Sequence, residues 1–327
     1  MSTYITLNYV QIQNANCVAG MTYGFPSVTH FLGYVHALSR KLNESHKITL
    51  EGCAINCHQY QIHAYKPKGF GEYVFAQTRN PLTKNGKTAP IIEEGKMHLT
   101  VSLVIECKGL IEGGDEGVNL LKEHLEHVCP TQKLAGGVIN NIDKIFIETA
   151  QTDDEQKLLT RKIRRRLLPG FLLLDRSQYL GEHLSSLQKT NSEAEIFDAW
   201  LDFSSLKFQA EPILEKGEEL NDKTKANWKY LPKPQSGYLV PITTGYRAIS
   251  EVFPAGHVTK ARDSTVPFCF VEAAYGLGEW QSPHRIQNID DVLWHYQAEE
   301  GWYLCSHHAK KELLASNSDE DDDFDFL

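Results

Sequence analysis

Met97-His98-Leu99-Thr100-Val101-Ser102-Leu103-Val104-Ile105 decides the fold of this chain. Met97, Leu99, Val101, Leu103 and Ile105 alternate with His98, Thr100 and Ser102, the two-residue period of a half-buried strand. Just downstream, Val118, Leu121, Leu125 and Val128 recur at helical spacing, and Val138 to Ile147 supplies a further strand. Upstream, Ile48 to Ala64 alternates, with Gly52 marking a slip of phase. Before it, Ser27 is placed to cap a helix carrying Val28, Phe31, Leu32, Val35, Leu38 and Leu42 on one side. Tyr4 to Gln13 begins with Ile5, Leu7 and Tyr9 on one face and then switches to Val10 and Ile12. A one-residue phase change inside a strand predicts a bulge.

The resulting order, β-α-β-β-α-β, is the ferredoxin-like arrangement shared with RNA-recognition modules. The expected class is therefore α+β, with a ferredoxin-like (RRM-like) domain over residues 1–149. About thirty residues, Lys66 to Gly95, separate its second and third strands and carry Lys66, Lys68, Arg79, Lys84 and Lys87. An insertion of that length predicts a projecting arm rather than a hairpin turn. Residues 150–316 read as a mixed helical and β elaboration: 150–209 mostly helical, 210–235 an exposed connection rich in Lys, Glu and Pro. From Gly237 to Tyr303 short strands and turns surround one expected helix, Asp290 to Tyr296. Residues 317–327 read as a disordered acidic tail, either a solubility segment or an occupant of a basic surface.

The chain has 327 residues, 41% hydrophobic and 23% charged, a balance that excludes collagen-like, coiled-coil and wholly disordered classes. No stretch approaches the roughly 20 apolar residues of a membrane span, and the first 25 residues carry no Lys or Arg. The seven cysteines are odd in number and unevenly spaced, which predicts free thiols and a cytoplasmic location. The net charge of −9 is unevenly spread, because Asp319, Glu320, Asp321, Asp322, Asp323 and Asp325 crowd the end. Without those six the rest carries 33 basic against 36 acidic residues, a net −3. Within it Lys157, Arg161, Lys162, Arg164, Arg165 and Arg166 form a basic cluster, so local patches rather than the total select partners.

That cluster lies in a predicted helix from Asp154 to Leu168. Leu159, Ile163 and Leu167 fall on one side and Lys157, Arg161, Arg164 and Arg165 on another. Such a helix can bury its apolar side and offer guanidinium groups to phosphates, or it can be a solvated face with local salt bridges. Cys53-x-x-x-Cys57-His58 and Cys305-x-His307-His308 suggest zinc, but Cys53 and Cys57 share the face of Ile55 and read better as packed thiols. No paired C-x-x-C knuckle accompanies them, so no metal or cofactor is expected. His30, His36, His58, His63 and His284 are candidates for a general base, yet no nucleophile or second acid stands beside any of them in sequence. Gly136-Gly137 and Gly276-Leu277-Gly278 turn the backbone or let main-chain N–H groups approach a phosphate. Trp280-Gln281-Ser282-Pro283-His284-Arg285 offers a stacking ring, hydrogen-bonding groups and a cation, the parts that single-stranded RNA recognition uses, although Trp280 fits a buried core position equally well.

Several motifs together resemble a known family: Ile12-Gln13-Asn14-Ala15-Asn16, Tyr23-Gly24-Phe25-Pro26, Thr78-Arg79-Asn80-Pro81-Leu82 and Glu93-Glu94-Gly95. Leu134-Ala135-Gly136-Gly137, Arg165-Arg166-Leu167-Leu168-Pro169-Gly170-Phe171, Leu277-Gly278-Glu279-Trp280 and Ser282-Pro283-His284-Arg285 complete the set. Over residues 5–305 the chain resembles the Cas-five-type (Csy-two) subunits of the type I-F CRISPR surveillance complex, the Csy complex of antiviral defence. The resemblance implies a non-catalytic subunit at the 5′ end of the CRISPR RNA, holding its repeat-derived handle. It implies pairing with the large subunit that reads the protospacer-adjacent motif, and through the complex an encounter with target double-stranded DNA. It also implies a thumb, over about 66–95, that reaches the repeated backbone subunit. Charge and motif location then select Asn14, Asn16, Arg79, Asn80, Gly136, Gly137, Arg161, Arg164, Arg165, Arg262, Trp280, His284 and Arg285 as the RNA-binding residues. The rival readings are a metal-independent endoribonuclease acting on repeat RNA and a scaffold whose basic helix grips an acidic protein.

Overall fold

A computed structural model describes residues 2–214, 220–221 and 224–307. The acidic segment 317–327 and His308 lie outside the described residues. Two compact units divide the chain. The first takes the residues up to Asp175, then Ile242–Tyr275 and those from Gln281 onward; the second takes Arg176–Pro241 and Gly276–Trp280.

The chain is mixed α+β, and ten of its strands form one hydrogen-bonded sheet. In chain order they are β1 (Ser2–Asn16), β2 (Thr49–Ile62), β3 (Lys96–Lys108), β4 (Lys133–Leu134), β5 (Gly137–Ala150), β6 (Phe171–Asp175), β7 (Leu239–Ala248), β8 (Val271–Gln281), β9 (His295–Glu299) and β10 (Trp302–Ser306). Across the sheet the order is β9-β10-β7-β8-β6-β2-β3-β1-β5-β4. Helix α1 (Val28–His46) joins β1 to β2, and α2 (Gly114–Val128) follows β3. In the central antiparallel ladder Ile5 lies opposite Ile105 and Ile147, and Leu7 opposite Leu103 and Ile145.

Local chemistry sets these elements. Ser27 caps α1, its Oγ accepting the Thr29 N–H at 3.3 Å, and the helix buries the seven residues Val28, Phe31, Leu32, Tyr34, Val35, Leu38 and Leu42. The phase change in β1 falls at Tyr9, whose φ of 50° is rare for a residue with a bulky side chain. There the register with β3 jumps between Leu7 and Val10. Gly52 marks a second shift, between Leu50 and Cys53.

The half-buried reading of Met97–Ile105 holds only for its first turns of alternation. From Val101 to Cys107 β3 is buried on both faces. The cause is α3 (Asp153–Arg166), which lays Leu159 and Ile163, with the following Leu167, into a cluster with Tyr4, Ala54, Val104, Ile286, Ile289, Val292 and Leu293. Side chains alternate across a pleated strand, so Ile5, Ile55 and Leu103 point to the other face.

Beyond residue 150 the structure refines two expectations and corrects one. The mostly helical stretch 150–209 contains strand β6, with Phe171 opposite Cys57 and Leu172 opposite Asn56. The exposed connection 210–235 includes part of one strand and the whole of another, paired as Lys207–Pro212 against Ala226–Leu231. The helix expected over Asp290–Tyr296 is a single 3₁₀ turn, Ile289–Val292. It stops there because Trp294 pairs its backbone with Cys53 in both directions at 2.9 Å and then enters β9.

In the second unit α4 (Gln178–Leu187) and α5 (Ile196–Ser204) enclose Leu180, Phe203, Leu239 and Leu277, with Tyr179 and Trp200 packed alongside. Arg176 and Glu279 form a largely buried ion pair at 2.8 Å.

Candidate nucleic-acid interface

Helix α3 begins at Thr152, which accepts the Glu155 N–H at 3.3 Å, while Glu155 accepts the Gln151 N–H at 2.6 Å. Three acids in its first turn and three arginines in its last both suit the helix dipole. The six cations of the sequence cluster then part company. Glu148 of β5 receives both Lys162 and Arg166, and the Arg166 guanidinium also lies over the Phe146 ring at 3.7 Å. Burial alone would raise the Glu148 carboxyl, but the hydrogen bonds from Arg166 and Lys162 overcome it and hold the group below its ordinary value. Lys157 pairs with Asp154 at 3.0 Å.

Arg164 donates to the His284 carbonyl at 2.6 Å, which fastens α3 to the 3₁₀ turn Pro283–Arg285. His284 in turn sits 2.7 Å from Ser282 Oγ. Arg161 and Arg165, one helical turn apart, are exposed, as is Arg285. None of these three enters an ion pair among the described residues. Arg161, Arg164, Arg165, His284 and Arg285 therefore form one group, with Arg164 as its fastener.

A second group gathers at the end of β1. Strands β4 and β5 are joined by Ala135 and Gly136, both at positive φ (51° and 75°), the backbone that a two-residue hairpin turn requires. The Ala135 carbonyl accepts the Asn16 N–H at 2.8 Å. Asn16 spends its side chain locally, donating to the Val18 carbonyl at 2.7 Å and accepting the Val18 N–H. Asn14, at φ 54°, is exposed and its N–H points to His98 Nδ1 at 3.4 Å. His98 is packed edge-on against His63.

Arg79 and Asn80 belong to neither group. They are exposed at the end of Val74–Arg79, where Arg79 lies opposite Ile91 of Ile91–Glu94; with Ala64–Tyr65, just before the insertion, these make a small three-stranded sheet. Arg262 is exposed in a loop. Trp280 lies in the second unit, partly buried, its backbone N–H bonded to the Tyr238 carbonyl at 3.1 Å.

Sequence reasoning missed a polar network on the α3 face of the sheet. Asn8, Asn56 and Ser102 are buried polar residues in otherwise apolar strands. Ser102 donates to Asn8 Oδ1 at 3.0 Å and accepts the Tyr9 N–H at 3.0 Å. His58 lies 2.7 Å from Ser102 Oγ and donates from Nδ1 to the Pro169 carbonyl at 2.6 Å. Tyr9 stacks on the His58 ring with centroids 3.8 Å apart. Asn56 donates to the Leu167 carbonyl at 3.0 Å. The turn Leu167–Gly170, between α3 and β6, is thus pinned to the sheet through side chains from three strands.

The family model described as CRISPR-associated protein (Cas_Csy2) matches residues 5–305. The chain belongs to the Csy2 family. It is 38% identical over 316 residues to CRISPR-associated protein Csy2 of Pseudomonas aeruginosa (strain UCBPP-PA14), covering 92% of this chain and 94% of that one.

In this Csy2-family chain the described residues of the two Cys/His motifs are taken up by packing and hydrogen bonds. Cys53, Cys57 and Cys305 are buried, and burial pushes the thiols of Cys57 and Cys305 up to about 12. His58 is committed to Pro169 and Ser102, and His307 Nε2 accepts the Asp175 N–H at 3.4 Å. Among the described residues no three His, Cys, Asp or Glu side chains converge as a metal site.

Three half-buried histidines give this chain a pH dependence. Burial lowers His30, His36 and His58 below the ordinary 6.5. The unfolded chain takes up those protons near 6.5, whereas the native fold resists them until lower pH. Stability is therefore fully present above about pH 6.5, falls as the pH drops through that value, and levels off below the lowered native values. Melting curves from about pH 8 to 5 check this, and His58→Gln flattens part of the slope.

Gly136 and Gly137 divide their work, and substitutions separate them. A Cβ on Gly137 would lie 2.6 Å from the Gln13 carbonyl oxygen and 2.8 Å from the Ala15 nitrogen, both backbone atoms. Gly137→Ala forces β5 away from β1 and costs about 1–3 kcal/mol of stability. At Gly136 the space is open and only the positive φ resists, so Gly136→Ala costs about 1 kcal/mol. Urea unfolding of the two variants reads the difference.

Proposed function

We propose that this Csy2-family chain is a non-catalytic, RNA-binding subunit of the type I-F CRISPR surveillance complex, the Csy complex, and holds the 5′ handle of the CRISPR RNA. The observation that carries the reading is the pair Arg161 and Arg165. They stand exposed on a helix whose opposite side is buried and whose last turn is tied to Pro283–Arg285. Cations on a rigid frame can meet phosphates without first being ordered, which suits recognition of a backbone rather than a base sequence. Sequence specificity toward target DNA is then left to base pairing with the guide.

In this reading β1-α1-β2-β3-α2-β5, whose strands lie side by side as β2-β3-β1-β5, is the ferredoxin-like domain of residues 1–149. Residues 66–95 are its thumb, directed at the repeated backbone subunit, with Arg79 and Asn80 near the working end. Residues 150–316 complete the RNA surface and meet the large PAM-reading subunit. Asn14, Gly136 and Gly137 supply main-chain and amide groups near the handle, while Asn16 shapes the turn. Arg164 acts by fixing the helix, and Arg262, Trp280, His284 and Arg285 are further contacts. The protein works in the cytoplasm; no helix among the described residues is long and apolar enough to cross a membrane.

RNA cleavage needs a histidine nitrogen open to the reacting hydroxyl. His58 has the most elaborate surroundings of the candidates, and both its ring nitrogens are already engaged. That favours binding over the endoribonuclease alternative.

Co-expression with the neighbouring genes, followed by sequencing of co-purified RNA, tests the proposal. Small RNAs sharing one constant 5′ segment are expected, with affinity falling steeply as salt rises. Recovery of no such RNA overturns the reading. Site-specific cuts of repeat RNA in EDTA, abolished by a single histidine substitution, establish the enzyme instead.

A further inference from the structure

We propose that the acidic run Asp319–Asp325 docks in cis on the arginine face of α3, against Arg161, Arg165 and Arg285, and competes there with RNA phosphates. The competition rests on the reading of that face as a phosphate site; the docking does not.

The first argument is complementarity. Six acids occupy the last nine residues of the chain. Arg161 and Arg165 are exposed with Arg285 on the adjoining turn, and none has an acidic partner among the described residues. A guanidinium binds a carboxylate in the same forked geometry as a phosphate, so one face accommodates both anions. The neighbouring cations are already matched: Lys157 by Asp154, and Lys162 and Arg166 by Glu148.

The second argument is reach. The described chain ends at His307, whose ring packs on Trp294 and whose Nε2 accepts the Asp175 N–H at the close of β6. α3 ends just before the other end of that strand, five residues away, or about 16 Å. Residues 308–318 can span up to about 36 Å, and Arg161 lies only about 6 Å further along the helix than Arg165. Tethering over such a length gives an effective concentration on the order of millimolar, enough to fill a weak site most of the time. An RNA must then displace the segment, and its apparent affinity falls by the fraction of faces left open, about three- to tenfold.

The experiment uses the full-length chain with a photo-crosslinking phenylalanine analogue at position 324, mapped by mass spectrometry, together with binding of a labelled oligouridine. The docking predicts crosslinks to 161–165 or 283–285 at a yield independent of protein concentration and lost in R161E/R165E. Changing the six acids to Asn and Gln strengthens oligouridine binding three- to tenfold at low salt. Crosslinks that map elsewhere, or that appear only as concentration rises, overturn docking in cis. If R161E/R165E weakens oligouridine binding while neutral acids change nothing and no α3 crosslink forms, the docking fails and the phosphate reading stands. If α3 crosslinks form but oligouridine binding ignores both changes, the phosphate reading fails and the docking stands.

Discussion

On the proposed RNA-binding reading, reversing Arg161 and Arg165 together to Glu is expected to lower RNA affinity on the order of 10²-fold at about 0.15 M salt. Each phosphate contact to a single strand contributes a salt exponent of about 0.7, and a reversal both removes a contact and adds a repulsion. Circular dichroism and melting temperature stay close to the parent, because both side chains are exposed and the buried side of α3 is untouched. Filter binding across a salt series measures the loss together with the shallower slope. Arg164 is unsuitable for this test, since its guanidinium secures His284 and its reversal mixes a binding defect with a loosened turn. RNA content and complex yield unchanged in the double variant would reduce the stripe to a solvated surface.

Trp294→Ala produces the largest loss of stability, about 3–5 kcal/mol. The side chain is fully buried, its indole N–H donates to the Leu173 carbonyl at 2.8 Å, and its backbone is paired with Cys53 on β2. Removing the ring leaves a cavity in the core and orphans a buried carbonyl. Trp294→Phe keeps most of the packing but not the donor and costs about 1–2 kcal/mol. Urea midpoints of the two variants separate packing from the hydrogen bond. Equal losses would mean that the carbonyl, rather than the ring, carries the contribution.

The strand and helix order of the first 150 residues was legible because each element repeats its own period over many residues. Even the irregularities showed, as the phase change at Tyr9 and the slip at Gly52 did. Strand β6 was hidden, since a four-residue apolar run between two helices has no period long enough to tell strand from helix. The hairpin Lys207–Pro212/Ala226–Leu231 was hidden for the opposite reason: its residues are almost all exposed, so no alternation of burial is written into it. At Asp290–Tyr296 the apolar spacing of Ile289, Val292 and Leu293 fits one helical turn, and a pairing with distant Cys53 decides the rest.

The geometry around the candidate residues was legible only in part. The arginine stripe could be read from helical spacing alone. That Glu148 neutralises two of its members could not, because the partner comes from another element. Asn8, Asn56 and Ser102 left a faint signal as polar residues at apolar strand positions. Their common purpose, holding Leu167–Gly170, depends on a register between three strands.

The covering of the sheet by α3 and by residues 286–293 also orders events during synthesis. When the first 150 residues leave the ribosome, Tyr4, Ala54 and Val104 have no cover, and part of it is translated only some 140 residues later. Until then the nascent chain displays a greasy face suited to chaperones or to aggregation. A fragment cut after β5 inherits that face permanently, so dissecting the molecule there would yield an insoluble piece rather than a minimal binder.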